Sequence, residues 1–264
     1  TFHREALKED IRPDGSREWH IMRRRPGTVG ISAAIRRKYD VEVVPHLICG
    51  GWSKYDIEDS LIDMDFLGLH NVLALRGDKR QNEPRFVPYA QGHAHAADLV
   101  RQIQAMNRGE FIDGEVEECH HSKFSVGVAG YPEKHFEAAN AQSDLQYLKE
   151  KVDAGADYIV TQMFNSKYFD FVERCRKAGI TVPIIPGIKP ISTPKHLEIL
   201  PRTFSVSLPE ELVKAVRACG EDTQAAREVG IEWAIHQAKE LKAAEVPIIH
   251  FYTMGRTDNI RKIA

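Results

Sequence analysis

The chain has 264 residues, of which 42% are hydrophobic and 28% charged, and its formal net charge is −2. That length suits one large buried core, and the near-neutral balance lacks the basic excess of nucleic-acid binders. The four cysteines, Cys49, Cys119, Cys175 and Cys219, form no C-x-x-C pair, which argues against a zinc knuckle or disulfide framework and suits a reducing cytoplasm. No apolar run approaches the ~20 residues of a membrane span.

In chain order, Thr1 and Phe2 read as the tail of a strand. The polar stretch over about 4–25, with Asp14-Gly15 in its middle, predicts a β-hairpin arm. Within it Arg23-Arg24-Arg25 reads as a solvated face. Residues 41–47 predict a strand. Ser53 then caps a helix, with Asp56 three residues on and Ile57, Leu61, Ile62 and Met64 as its apolar stripe. Residues 71–75 predict the next strand, drawn on through Arg76-Gly77-Asp78, and a helix covers roughly 94–106. A strand at 124–130 leads to a helix at about 142–154, stopped by Gly155. There follow a strand at 157–161, a helix at 168–178, a strand at 182–186, several helices across 194–244, and a last strand at 246–252.

Strands alternating with amphipathic helices are the pattern of successive βα units, so the fold class is α/β. The arrangement expected is a (β/α)8 TIM barrel forming a single catalytic domain over 1–264. Only six strands are evident, so closure calls for about one and a half further βα units upstream. The barrel is thus expected to be N-terminally incomplete, with the first strand and most of the second absent. An open doubly wound sheet is the alternative, weakened because no G-x-G-x-x-G turn follows a strand.

Barrel enzymes build their sites at the C-terminal ends of strands. Those ends carry Thr1, His46, Arg76-Gly77-Asp78, Tyr131-Pro132-Glu133, Thr161-Gln162, Pro186-Gly187 and Tyr252-Thr253. Each residue alone has a structural explanation; their joint placement is the signal. A second cluster, Glu115, Glu117, Glu118, Cys119, His120 and His121, offers metal-ligand types, but adjacent residues converge poorly on one ion, and the run reads as a charged surface loop. No metal site is expected.

Several runs together resemble methylenetetrahydrofolate reductase. They are Pro45-His46-Leu47, Leu73-Ala74-Leu75-Arg76-Gly77-Asp78, Ala129-Gly130-Tyr131-Pro132-Glu133 with His135, and Lys151-Val152-Asp153-Ala154-Gly155-Ala156. Thr161-Gln162-Met163-Phe164, Ile185-Pro186-Gly187-Ile188 and His250-Phe251-Tyr252-Thr253-Met254 complete the set. They lie in the family's order and spacing from end to end of the chain.

The resemblance implies an FAD-dependent enzyme of one-carbon metabolism and methionine biosynthesis. NADH or NADPH reduces the flavin, and the flavin reduces 5,10-methylenetetrahydrofolate to 5-methyltetrahydrofolate. It places Asp78 as the catalytic aspartate beside the flavin, favouring a cationic iminium, and Gln162 on the substrate's pterin. Arg256 meets the folate's glutamate tail, and His196 stands where many members carry a substrate-contacting glutamine. For FAD it implies Thr1, His46, Arg76, Gly77 and Asp78 at the ring and linker. Ala96, Tyr131, His135, Ala138, Asp144 and Lys151 fall at the ribityl, phosphate and adenosine parts. A cytoplasmic homo-oligomer acting on a small molecule, without nucleic acid or membrane partners, is the corresponding expectation.

Besides His196, the chain departs from the family in three places. The general-acid glutamate of a Phe-Glu-Phe-Phe-Pro-Pro-like first strand has no match here. His95 replaces an aromatic before Ala96, and the arm replaces a short Gly-rich loop. Loss of that acid alone favours a competing reading, a non-catalytic or flavin-independent barrel binding a phosphorylated small molecule.

Overall fold

The computed structural model describes residues 6–22, 26–79, 83–115, 121–163, 167–255 and 257–264. They fall into two compact units: one runs to Val128 and includes Asp153–Asp157, and the other comprises Ala129–Val152 and Tyr158–Ala264.

The first unit opens with β1 (Ala6–Ile11) and β2 (Arg17–Met22), an antiparallel hairpin in register from Ala6↔Met22 to Ile11↔Arg17. Gly15, at φ +79°, allows its turn. Then come α1 (Thr28–Tyr39), β3 (His46–Ile48), α2 (Lys54–Phe66), β4 (Asn71–Leu75) and α3 (Ala96–Asn107). A short antiparallel pair, β5 (Glu110–Phe111) and β6 (Gly114–Glu115), precedes β7 (Ser125–Gly130), whose last two residues belong to the second unit. β3, β4 and β7 are parallel, with His46 opposite Leu73 and Asn71 opposite Ser125. Val72, Ala74, Val126 and Val128 are fully buried, as are Ile57, Leu61 and Met64 of α2.

The second unit continues with α4 (Ala141–Asp153, its last residue in the first unit), β8 (Tyr158–Met163), α5 (Tyr168–Lys177) and β9 (Ile184–Ile188). Three successive helices, α6 (His196–Phe204), α7 (Glu210–Ala218) and α8 (Thr223–Ala243), lead to β10 (His250–Phe251) and α9 (Asp258–Ile263). β8, β9 and β10 are again parallel. Leu200, Val206, Leu212, Val216 and Ala226 pack with Met163 and Ile191 as one apolar cluster.

These parallel strands joined through helices establish the α/β class. Two strands are much shorter than expected. Residues 41–45 are irregular and β3 begins only at His46. Pro45 brings no N–H to a ladder, although its carbonyl accepts from Leu73 N–H at 2.9 Å. Of 246–252, only His250 and Phe251 pair, and Tyr252 adds one bond to the Ile188 carbonyl. β4 stops at Leu75, because Gly77 turns the chain at φ +88°. Gly155 does end the helical run, at φ +110°. Among the described residues no helix is long and apolar enough to cross a membrane.

The expected cap of α2 is present in full: Ser53 Oγ accepts from Asp56 N–H at 3.2 Å, and Ser53 N–H donates to Asp56 Oδ2 at 2.8 Å. Ser53→Ala should cost about 1 kcal/mol by urea unfolding, against about 2–5 kcal/mol for emptying the core position by Leu61→Ala.

Candidate functional site

In the first unit the C-terminal ends of β3 and β4 stay joined beyond the ladder. Cys49 N–H donates to the Leu75 carbonyl at 3.1 Å and Gly50 N–H to the Arg76 carbonyl at 3.2 Å. Arg76 and Gly77 therefore lie beside Ile48 and Gly50, and a β-carbon on Gly77 would stand 3.5 Å from Ile48 Cβ. The Arg76 guanidinium sits 4.8 Å from the centroid of the Phe86 ring, a contact that holds a cation over an electron-rich face. Asp78 follows as an exposed residue three positions past the end of β4. His46, expected near a strand's C-terminal end, is instead the first residue of β3, half-buried opposite Leu73. Ala96 opens α3 and is half-buried.

The segment between β4 and α3 is clamped near its end. Lys54 N–H, at the start of α2, donates to the Gln91 carbonyl at 3.1 Å. Gln102 Nε2 donates to the Lys54 carbonyl at 2.8 Å, and Gln102 Oε1 lies 2.5 Å from His93 Nε2. Burial of His93 lowers its pKa, which favours the neutral ring.

In the second unit the residues after β7 and those of α4 form one connected cluster. The rings of Tyr131 and His135 meet edge-on at 4.7 Å. His135 N–H donates to Asp144 Oδ2 at 3.1 Å, and Ala138 N–H donates to the His135 carbonyl at 3.1 Å. On the same helix as Asp144, Lys151 donates from Nζ to the Ala129 carbonyl at 2.5 Å. Burial lowers the Lys151 pKa from 10.5 to about 8, and the charge of Asp144 opposes that shift in part. A buried ammonium answered by one backbone carbonyl is a place where an anion is favoured.

Gln162 lies on β8 next to a break in register. Val160 pairs with Ile185 and Met163 with Gly187, so β8 carries one extra residue there. Gln162 Oε1 accepts from Met163 N–H at 3.0 Å, and Gln162 lines a shallow recess with Tyr131, Pro132, Glu133, Phe204 and Val206. The recess encloses about 170 Å³ including open solvent. Glu133 braces its wall, accepting from Ser207 N–H at 2.5 Å, Ser207 Oγ at 2.6 Å and Lys167 Nζ at 3.2 Å.

Tyr131, His135, Ala138, Asp144 and Lys151 are thus brought together, and Gln162 shares a recess with Tyr131. His196 is turned to its own loop, Nδ1 accepting from Ser192 N–H at 3.2 Å. Thr1 and Arg256 lie outside the described residues, as do residues 116–120 of the acidic and histidine-rich run. Among the described residues no group of three or more His, Cys, Asp or Glu is placed to hold a metal ion. Phe86 escaped the sequence reading because a lone aromatic in a polar loop carries no periodic signal. The buttress from Ser207 to Glu133 escaped it because 74 positions separate the two.

A family model described as methylenetetrahydrofolate reductase matches residues 18–264. The "Probable methylenetetrahydrofolate reductase (NADH)" of Oryza sativa subsp. japonica is 34% identical over 239 residues, covering 86% of this chain and 38% of the relative. The "Probable methylenetetrahydrofolate reductase (NADPH)" of Caenorhabditis elegans is 33% identical, covering 88% and 33%. The "5,10-methylenetetrahydrofolate reductase" of Pectobacterium carotovorum subsp. carotovorum is 32% identical, covering 89% of this chain and 72% of the relative. The chain therefore spans little more than a third of the plant protein and most of the bacterial one.

Lys151 gives this site a pH signature. The unfolded chain holds the Lys151 proton up to about its ordinary value of 10.5, whereas the folded chain releases it at about 8. Between those values the unfolded state binds more protons, so this group makes stability rise with pH. Relative to Lys151→Met, the unmodified chain should gain stability across that window, measured by urea unfolding at stepped pH; a constant difference would contradict the buried ammonium.

Proposed function

Since the chain belongs to the methylenetetrahydrofolate reductase family, we propose that it reduces 5,10-methylenetetrahydrofolate to 5-methyltetrahydrofolate with NADH or NADPH, through FAD in a ping-pong sequence. The observation that carries this reading is the connected cluster of Tyr131, His135, Asp144 and Lys151, continuous through Tyr131 with the recess that Gln162 lines.

The residues present fit FAD. The Lys151 ammonium, disfavoured by burial, would be stabilised by a pyrophosphate beside it, and His135 offers a second polar edge. Ala138, buried at 8% exposure, is tied to the same cluster through its N–H bond to the His135 carbonyl. In the first unit Arg76, held over Phe86, offers a planar fork of N–H donors, and Gly77 permits the turn at φ +88° that follows it. Bound FAD would supply the two-electron transfer between nicotinamide and folate.

The protein's own contribution is position and field. Asp78 stabilises positive charge on the opened folate, and Gln162 hydrogen-bonds the pterin. Thr1, His46 and Ala96 complete the FAD set, and His196 and Arg256 the folate set, on the strength of the family resemblance. The same resemblance supports a cytoplasmic homo-oligomer. The unbridged thiols of Cys49, Cys175 and Cys219 accord with a reducing compartment.

Two measurements test the reading. The purified full chain mixed with FAD should retain a flavin absorbance band after gel filtration, and a colourless protein would refute it. Asp78→Asn should lower methyltetrahydrofolate formation by about 10²-fold while slowing reduction of bound flavin by NADH far less. Equal losses would assign Asp78 to binding or folding.

A further inference from the structure

The extra residue in β8 is a β-bulge, a device that bends a strand and re-aims a side chain. Thr161 and Gln162 together oppose Pro186, so their backbone groups lose regular ladder partners. Buried backbone groups need replacements, and Thr161 is fully buried. One replacement and one tie to the Thr161 side chain come from neighbouring segments. Gly187 N–H donates to Thr161 Oγ1 at 2.9 Å, and the Tyr252 hydroxyl, just past β10, donates to the Thr161 carbonyl at 2.7 Å.

Space is as restrictive as bonding. A β-carbon on Gly187 would stand 2.4 Å from the Thr161 carbonyl oxygen and 2.7 Å from Tyr252 Cε2, so only glycine permits this approach. The Tyr252 ring is set by the edge of His250 at 4.7 Å. Phenylalanine would fill the same volume without a hydroxyl to desolvate. Burying the phenol is favourable only through the bond it makes, which marks that bond as its role.

We propose that Tyr252 is a positioning residue for Gln162: its bond to the Thr161 carbonyl holds the bulge in the arrangement that turns the Gln162 amide toward the folate. The inference rests on the reading that Gln162 contacts the folate. It also fixes which end of the amide is presented. Oε1 already accepts from Met163 N–H, which leaves the two NH2 protons as the donors the amide has to offer. The pterin edge that meets it is therefore an acceptor edge, a carbonyl or an unprotonated ring nitrogen.

The test uses the full-length, FAD-loaded protein as Tyr252→Phe, Gln162→Ala and the double variant. Three readouts are taken: the side-chain amide resonances of Gln162 in ¹⁵N spectra, identified by their loss in Gln162→Ala; calorimetric affinity for 5-methyltetrahydrofolate; and KM against kcat. Tyr252→Phe should shift those resonances, weaken folate binding by about tenfold, and raise KM more than it lowers kcat, with the melting temperature little changed. Added to Gln162→Ala, it should cost no more than a further factor of about two, because the two residues act as one unit. Unshifted resonances, or losses that multiply in the double variant, would overturn the positioning role alone. Unchanged affinity in Gln162→Ala would overturn the folate reading of Gln162 and this proposal with it. Thr161→Val, which cuts the other bond of the lock, carries the same test should Tyr252→Phe fold poorly.

Discussion

At Gly187 the backbone of β9 comes so close to the Thr161 carbonyl that no β-carbon fits between them. Much of the second unit's chemistry is arranged around that contact. It admits the extra residue in β8, lets Gly187 N–H reach the Thr161 hydroxyl, and leaves room for the Tyr252 ring. The adjoining helices then need only close the apolar side, which Leu200, Val206, Leu212 and Val216 do around Met163. A polar strand end backed by a dry cluster is a rigid mount for a single amide side chain.

Two cations near the strand ends are kept by opposite means. Lys151 is strained electrostatically, its ammonium disfavoured by burial and answered by one backbone carbonyl and the field of Asp144. The Arg76 guanidinium is steadied by the face of the Phe86 ring over which it lies. An anion arriving at Lys151 would draw its pKa back toward the ordinary value.

The order of the elements was legible because buried parallel strands are continuous apolar runs and the helices between them carry stops such as Gly155. Strand ends were less so. Residues 41–45 look as apolar as any strand, yet Pro45 and the late start of β3 are decided by which neighbour's backbone is available. The last strand shrank to His250 and Phe251 for the same reason. At the site, the family resemblance named Tyr131, His135, Asp144 and Lys151, and the structure brings the four together. The bulge at Gln162 did not show, since it is a relation between β8 and β9, not a property of either. Phe86 was equally hidden, its meaning lying in Arg76, ten positions away in the chain.

The clamp of Gln91 and His93 on the start of α2 has an evolutionary side. It separates the connection after β4 into a part whose spacing is fixed and a part whose length is not. From Gln91 to α3, each residue is in step with Lys54 and Gln102, so an insertion there would unseat the first turn of α2. Upstream, at the exposed Val87 and Pro88, residues can be gained or lost while Phe86 and Gln91 stay in place. Relatives should therefore differ in length in that interval, which is also the position where a tag or reporter peptide could be spliced into this unit at least cost to its fold.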